Sequence, residues 1–235
     1  MLSDFHQGNI DSEFYPGIII SMQRSPKTCV AFLGTRRIAS GNLSEVAVRA
    51  KKALEKAEPA DQLLIFDDLT AKPIEVDLRG STEDVVARVE RAQRLAQTET
   101  VEKERQGPGR PKLGVIGREV TLLPRHWEWL DSQPGGASVT LRKLVEEAKR
   151  ANAGKDRFRT AQEATYRFMR DMAGDWPGYE EANRVMFSSQ KGRLRQFQAL
   201  VEGWPKDVRA HILTLFKRTL ELEKGQSKAE QKEPK

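Results

Sequence analysis

The fold is decided by residues 28–40, which read TCVAFLGTRRIAS. Residues 28–33 are rich in β-formers, residues 34–35 are turn formers, and residues 36–40 return in an extended pattern, so the stretch predicts a β-hairpin. Apolar residues then recur at helical spacing between Val46 and Ala57. The chain is therefore expected to begin its ordered part with two strands followed by a helix.

Two further strands and a second helix are predicted downstream. Leu63–Phe66 is apolar and β-rich, and Ile74–Leu78 alternates apolar and polar residues. Ser81 is placed to cap a helix that carries Val85 and Val89 on one face. The order β-β-α-β-β-α predicts an antiparallel sheet with helices on one face, and hence an α+β fold class.

The rest of the chain changes character several times. A flexible extension is expected over residues 1–27, where Met22 is a hypothetical start. Glycines and prolines predict a linker, and two Trp-Pro turns between helical stretches hint at an internal duplication. The predicted units are an α+β domain (28–96), a basic linker (97–114), a strand-helix-helix centre (115–151), a helical domain (157–221) and a disordered tail (222–235).

Composition excludes several functional classes. The 235 residues contain one cysteine, Cys29, and three histidines that are far apart, so neither a disulfide framework nor a zinc cluster is expected. The longest apolar run near the start, residues 18–20, is too short for a membrane span. These features predict a soluble cytoplasmic protein with no membrane association.

Positive charge is concentrated in the middle of the chain. The formal net charge is +6, and residues 107–160 hold 11 basic but only 6 acidic side chains. A local excess of this kind is where a polyanion is expected to bind.

Within this basic part, Gly109-Arg110-Pro111 followed by Lys112 resembles the AT-hook. The resemblance implies an extended backbone in the minor groove of A·T-rich DNA, with Arg110 on the groove floor. Basic residues do not continue on both sides as they do in that motif, and an ordinary hinge is the alternative.

Residues 117–150 resemble a second DNA-binding module, the ribbon-helix-helix. A predicted strand from Arg118 to Leu123 is followed by Pro124, a short helix, a glycine turn and an amphipathic helix capped by Ser138. The resemblance implies that two chains pair these strands into a ribbon that enters the major groove. It also implies that the turn at Gly136, Ala137 and Ser138 holds a phosphate through backbone N–H groups.

The predicted ribbon departs from the module in its reading face. In the family's register Arg118, Val120 and Leu122 face the groove, while Glu119, Thr121 and Leu123 face inward. A slip of one residue exchanges the two faces and leaves no basic reader. A plain helical hairpin packed on the neighbouring domain is the alternative.

Five runs of sequence together resemble a bacterial family of uncharacterised proteins, a domain of unknown function. The resemblance covers residues 28–220 and implies a bacterial source and these domain limits, but no activity. The runs are Ala31–Gly41, Leu64–Asp68, Gly109–Val115, Arg118–Trp127 and Gly135–Ser138.

No catalytic group, cofactor or metal site is predicted. Asp67-Asp68 is expected to form a turn stabilised by Asx hydrogen bonds rather than an acid pair, and Cys29 a small buried residue. Trp127 is expected in the core, and Trp129, on the other side of its helix, on an exposed contact surface.

The leading prediction is therefore a DNA-binding protein, a transcriptional regulator or nucleoid-associated factor, that acts as a homodimer. The alternative is an adaptor that binds a protein partner through Trp129 or the C-terminal helices. An enzyme is not expected. The residues predicted to bind DNA are Arg110, Pro111, Lys112, Arg118, Val120, Leu122, Arg125, Gly136, Ala137, Ser138 and Lys143.

Overall fold

The structure, a computed structural model, describes residues 28–58, 60–102 and 118–230. The predicted extension and the glycine-proline segment with Arg110, Pro111 and Lys112 lie outside the described residues. The described chain forms an α+β fold, as expected. Its elements are β1 Thr28–Leu33, β2 Arg36–Asn42, α1 Leu43–Leu54, β3 Leu63–Asp67, α2 Thr82–Glu102, α3 Pro124–Ser132, α4 Gly136–Ala173, α5 Tyr179–Phe187, α6 Arg193–Leu200 and α7 Lys206–Glu230.

The predicted hairpin is the centre of a three-stranded antiparallel sheet with the order β2-β1-β3. Gly34 closes the β1–β2 turn with φ +56, a backbone conformation that glycine adopts without strain. Its N–H donates to the carbonyl of Gln62, which ties the turn to the start of β3. The sheet therefore follows from the sequence pattern of its first two strands.

The predicted strand at Ile74–Leu78 does not form. The segment makes only an isolated bridge between Pro73 and Phe66, with one hydrogen bond from Ile74 to Ile65. Proline has no N–H to donate to a ladder, so pairing does not extend. The alternation was correct nonetheless, because Ile74, Val76 and Leu78 pack on the α1 side while their polar neighbours are exposed.

Helices cover both faces of the sheet, not one face as the element order predicted. Cys29, Ala31 and Ile65 point to α1, whereas Val30, Phe32 and Phe66 point to α4 and α7. This explains why β1 is buried continuously from Cys29 to Leu33, since a strand that is covered on both sides has no polar face.

The two helices that carry the second layer are longer than predicted. α4 runs without a break through residues 151–157, where a boundary between two units was expected, and α7 continues to Glu230, through most of the predicted disordered tail. α2 likewise continues to Glu102, into the predicted linker. Residues 151–157 contain no proline, and Gly154 is accommodated inside α4.

The two Trp-Pro turns meet in the structure. Trp176 and Trp204 pack edge to face with ring centroids 5.6 Å apart, and the Trp204 indole donates to the Pro177 carbonyl at 2.9 Å. The backbone N–H of each tryptophan also donates a hydrogen bond to the carbonyl three residues before it, at Ala173 and Val201. The similar local geometry is consistent with the predicted echo between the two stretches, and it joins α4–α5 to α6–α7.

Candidate nucleic-acid interface

The middle of the described chain contains a helical hairpin that stands apart from the core. We call residues 118–150 the arm: a non-helical segment (118–123), helix α3, a glycine turn and the first turns of α4. Leu130 is the only buried residue of the arm. Along α4 no side chain is buried from Gly136 to Thr160, and burial against α7 begins at Ala161. The arm is therefore open to a partner along its whole length.

The predicted strand at the start of the arm is not formed within the described chain. Residues 118–123 make no ladder with any of the three described strands. A ribbon at this position requires a strand from elsewhere, and the three described strands pair only with one another. Among the predicted groove residues, Arg118 and Val120 are exposed and Leu122 is half-buried. Arg125 is exposed on the first turn of α3.

The turn between α3 and α4 depends on two glycines in the left-handed region. Gly135 has φ +90 and Gly136 has φ +71, and the Gly136 N–H donates to the Gln133 carbonyl at 2.9 Å. The predicted cap is wrong: α4 begins at Gly136, so Ser138 lies inside its first turn rather than before it. No side chain caps this helix. Apart from the Gly136 N–H, the first N–H groups of α4 have no side-chain cap, and the positive end of the helix dipole lies at this end.

The net positive charge of residues 107–160 lies mostly outside the arm. The arm itself holds six basic and five acidic side chains, so it is almost neutral. The basic excess lies on either side of the arm, at Arg110 and Lys112 before it and at Lys155, Arg157 and Arg159 after it. Lys143 is exposed on the arm, while Arg142 is engaged with the Ser138 carbonyl at 3.0 Å.

The arm carries a surface that the sequence analysis missed. Ten large apolar side chains are exposed in the described parts of the chain, and six of them lie between residues 120 and 145. Trp127, expected in the core, is 37% exposed, and Trp129, expected at the surface, is 51% exposed. The i, i+3, i+4 spacing of Leu141, Leu144 and Val145 is that of one helix face, but spacing alone does not tell whether anything covers that face. The six are Val120, Leu123, Trp127, Trp129, Leu144 and Val145.

The polar groups of the sheet serve its structure. Asp67 accepts hydrogen bonds from the Leu69 and Thr70 N–H groups and from the Thr70 hydroxyl, which confirms the predicted Asx turn. Arg167 of α4 and Arg218 of α7 donate to the carbonyls of Thr70 and Asp68 in the same loop. Burial, followed by the charges of Asp67 and Asp68, raises the pKa of the Cys29 thiol to about 11. Cys29 therefore stays protonated at neutral pH, as a buried structural residue does.

No group of three or more His, Cys, Asp or Glu side chains within the described residues is arranged to hold a metal ion. None of the described helices is both long and apolar enough to cross a membrane.

A comparison with protein families adds one finding. A family described as "Uncharacterized protein conserved in bacteria (DUF2239)" matches residues 28–216. The chain belongs to this family. The matched range of DUF2239 takes in the sheet, both helix layers and the whole arm. Comparisons with curated proteins and with solved structures gave no match.

Proposed function

We propose that this chain is a bacterial DNA-binding protein, a transcriptional regulator or nucleoid-associated factor of the cytoplasm, that acts as a dimer. The observation that carries the proposal is the arm: all its residues except Leu130 are exposed or half-buried, its helix α4 has no side-chain cap at the N-terminus, and basic segments flank it on both sides. Exposed N–H groups at a helix start favour a phosphate, and the flanking charges favour a polyanion.

The arm and the segment that precedes it have different roles in this proposal. Arg110, with Pro111 and Lys112 beside it, enters the minor groove of A·T-rich DNA, where the negative potential is strongest. The first turn of α4, at Gly136, Ala137 and Ser138, holds a backbone phosphate. The remaining predicted residues either supply positive electrostatic potential that attracts the DNA or face the major groove. They are Arg118, Val120, Leu122, Arg125 and Lys143.

Fluorescence anisotropy on labelled A·T-rich and G·C-rich duplexes across a salt series tests the proposal. We expect preference for the A·T-rich duplex, a steep loss of affinity with salt, and a loss of about tenfold for Arg110→Ala because one groove-floor contact disappears. Arg195→Ala, an exposed arginine on α6, is the matched control and should bind like the wild type. Equal binding to both duplexes, with no change of affinity in Arg110→Ala, would refute the proposed role of Arg110 in the minor groove.

The exposed indole of Trp129 favours a second candidate, an adaptor for a protein partner. Trp129 is not on the helix face of Leu130, so it is free to contact another molecule without disturbing the hairpin. In that case Trp129→Ala abolishes capture of the partner in a pull-down, and DNA affinity is weak for every variant.

A further inference from the structure

Four of the six exposed apolar residues of the arm follow the spacing of a single face on each of its two helices. On α4, Leu141, Leu144 and Val145 follow the i, i+3, i+4 spacing of one face. At α3, Leu123, Trp127 and Leu130 follow the i, i+4, i+7 spacing. Leu130 is buried and Leu141 half-buried, whereas Leu123, Trp127, Leu144 and Val145 are exposed. The four exposed residues, named here the arm face, therefore border the small hairpin contact instead of being covered by it.

A hairpin with this composition is poorly stabilised by itself. The arm orders 33 residues but buries only Leu130. Its other apolar side chains are half-buried or exposed, so the hairpin removes little apolar surface from water. The core gives the arm little support, because α4 contacts α7 only from its later turns onward. A further apolar contact over the arm face would stabilise the hairpin by removing those side chains from water.

We infer that the arm face is covered by the arm of a second copy of this chain, with Trp127, Leu144 and Val145 at the centre of a two-fold interface. The inference deepens the proposed function by naming the surface through which the proposed dimer forms. It does not depend on DNA, since every observation that supports it concerns the arm alone.

Three observations favour a second copy over another partner. The arm is nearly neutral, so two arms do not repel each other. Its charge is unevenly divided: α3 has a net charge of −1, from Arg125 against Glu128 and Asp131, whereas the α4 turns up to residue 150 have a net charge of +2, from four basic and two acidic side chains. A two-fold contact that sets α3 of one copy beside α4 of the other brings these opposite charges together on both sides of the axis.

The third observation concerns the number of accessible residues in the arm and the unpaired segment at its start. A standard interface uses about 20–30 residues from each partner, and all of the arm's 33 residues except Leu130 are at least partly accessible. Residues 118–123 have no ladder within the described chain, and a two-fold axis pairs such a segment with its own copy in antiparallel fashion. The same contact thus serves both the helices and the segment before them.

The test is the molar mass of the full chain in solution, measured by light scattering without DNA at micromolar concentrations. We expect twice the 26.6 kDa chain mass for the wild type. Val145→Glu should weaken dimerisation by about 100-fold or more, because the interface would have to bury an unpaired carboxylate. Leu69→Glu is the matched control: Leu69 is similarly exposed but lies in the loop after β3, and the variant should remain dimeric.

A second pair of variants protects the test against local unfolding. Trp127→Ala should dissociate the dimer, while Trp129→Ala, on the other side of α3, should not. Circular dichroism confirms that the sheet and the helical core stay folded in each variant. A monomeric wild type, or equal effects of the two tryptophan changes, would overturn the inference. A monomer that still binds A·T-rich DNA refutes the interface alone, and a dimer without DNA affinity refutes the proposed function alone.

Discussion

His211 lies where α7 meets the sheet, and its ring is only 6% exposed. The ring packs edge to face against Phe168 and Phe32, with centroids 4.5 and 5.7 Å away. Burial lowers the pKa of His211 from its usual 6.5 to about 4; the nearby Asp68 carboxylate raises this pKa and Arg37 lowers it further. The folded protein therefore requires a neutral imidazole at the joint between sheet and helices.

This burial makes stability depend on pH. The unfolded chain takes up a proton at His211 near pH 6.5, whereas the folded chain does so only near pH 4. The contribution of the neutral His211 to the free energy of unfolding is therefore fully present above about pH 6.5. It falls by about 3 kcal/mol as the pH drops to about 4. Urea unfolding between pH 4 and 7 measures it. His211→Leu should flatten the curve, because the group that titrates differently in the folded and unfolded chain is removed.

At the scale of the elements, the turn between α3 and α4 decides whether the arm keeps its hairpin. Gly135 has φ +90, and a Cβ there would lie 3.1 Å from Val139 Cβ. A side chain at this position meets both backbone strain and a crowded neighbour.

We therefore expect Gly135→Ala to destabilise the hairpin by about 1–2 kcal/mol. Hydrogen exchange should quicken in α3 and in the first turns of α4 but not in the sheet. Gly203→Ala is the control, because nothing lies within 4 Å of its Cβ position and its φ is not positive. Unchanged exchange in α3 would show that the glycine is dispensable.

At the scale of the whole molecule, one core connects the parts that sequence analysis separated. The ring centroid of Phe168 on α4 lies 5.0 Å from that of Phe66 and 5.3 Å from that of Phe32. A helix from the second half of the chain therefore covers one face of the sheet. Residues 28–96 alone would expose Val30, Phe32 and Phe66 to water. The sheet and the helices should therefore unfold together.

Calorimetry of Phe168→Ala tests this coupling. Removing this fully buried ring should cost about 3–5 kcal/mol and lower a single transition that carries both sheet and helix signals. Phe187→Ala, at a position 54% exposed, should cost less than about 1 kcal/mol. Two separate transitions, with only the helical one shifted, would support independent domains instead.

Prediction from sequence worked where a local pattern decides the structure. The hairpin of residues 28–40, the cap at Ser81 and the Asx turn at Asp67 each depend on neighbouring residues, and each is present. Prediction did not work where a distant element decides. The segment Ile74–Leu78 has the predicted alternation of half-buried and exposed residues, but it follows an isolated β-bridge at Pro73 and forms no strand. Trp127 has the spacing of a core residue, but no other element covers it and it is exposed.

By itself, the sequence determined the α+β class, the hairpin at its centre, the excess of basic residues over residues 107–160 and the absence of a disulfide framework, because composition and short-range periodicity carry that information. Only the tertiary structure decided that the sheet is covered on both faces, that α4 connects the core to the arm, and that the arm leaves its apolar face open. These features depend on contacts between residues far apart in the chain, such as Phe32 with Phe168, and no local pattern specifies which apolar face meets which.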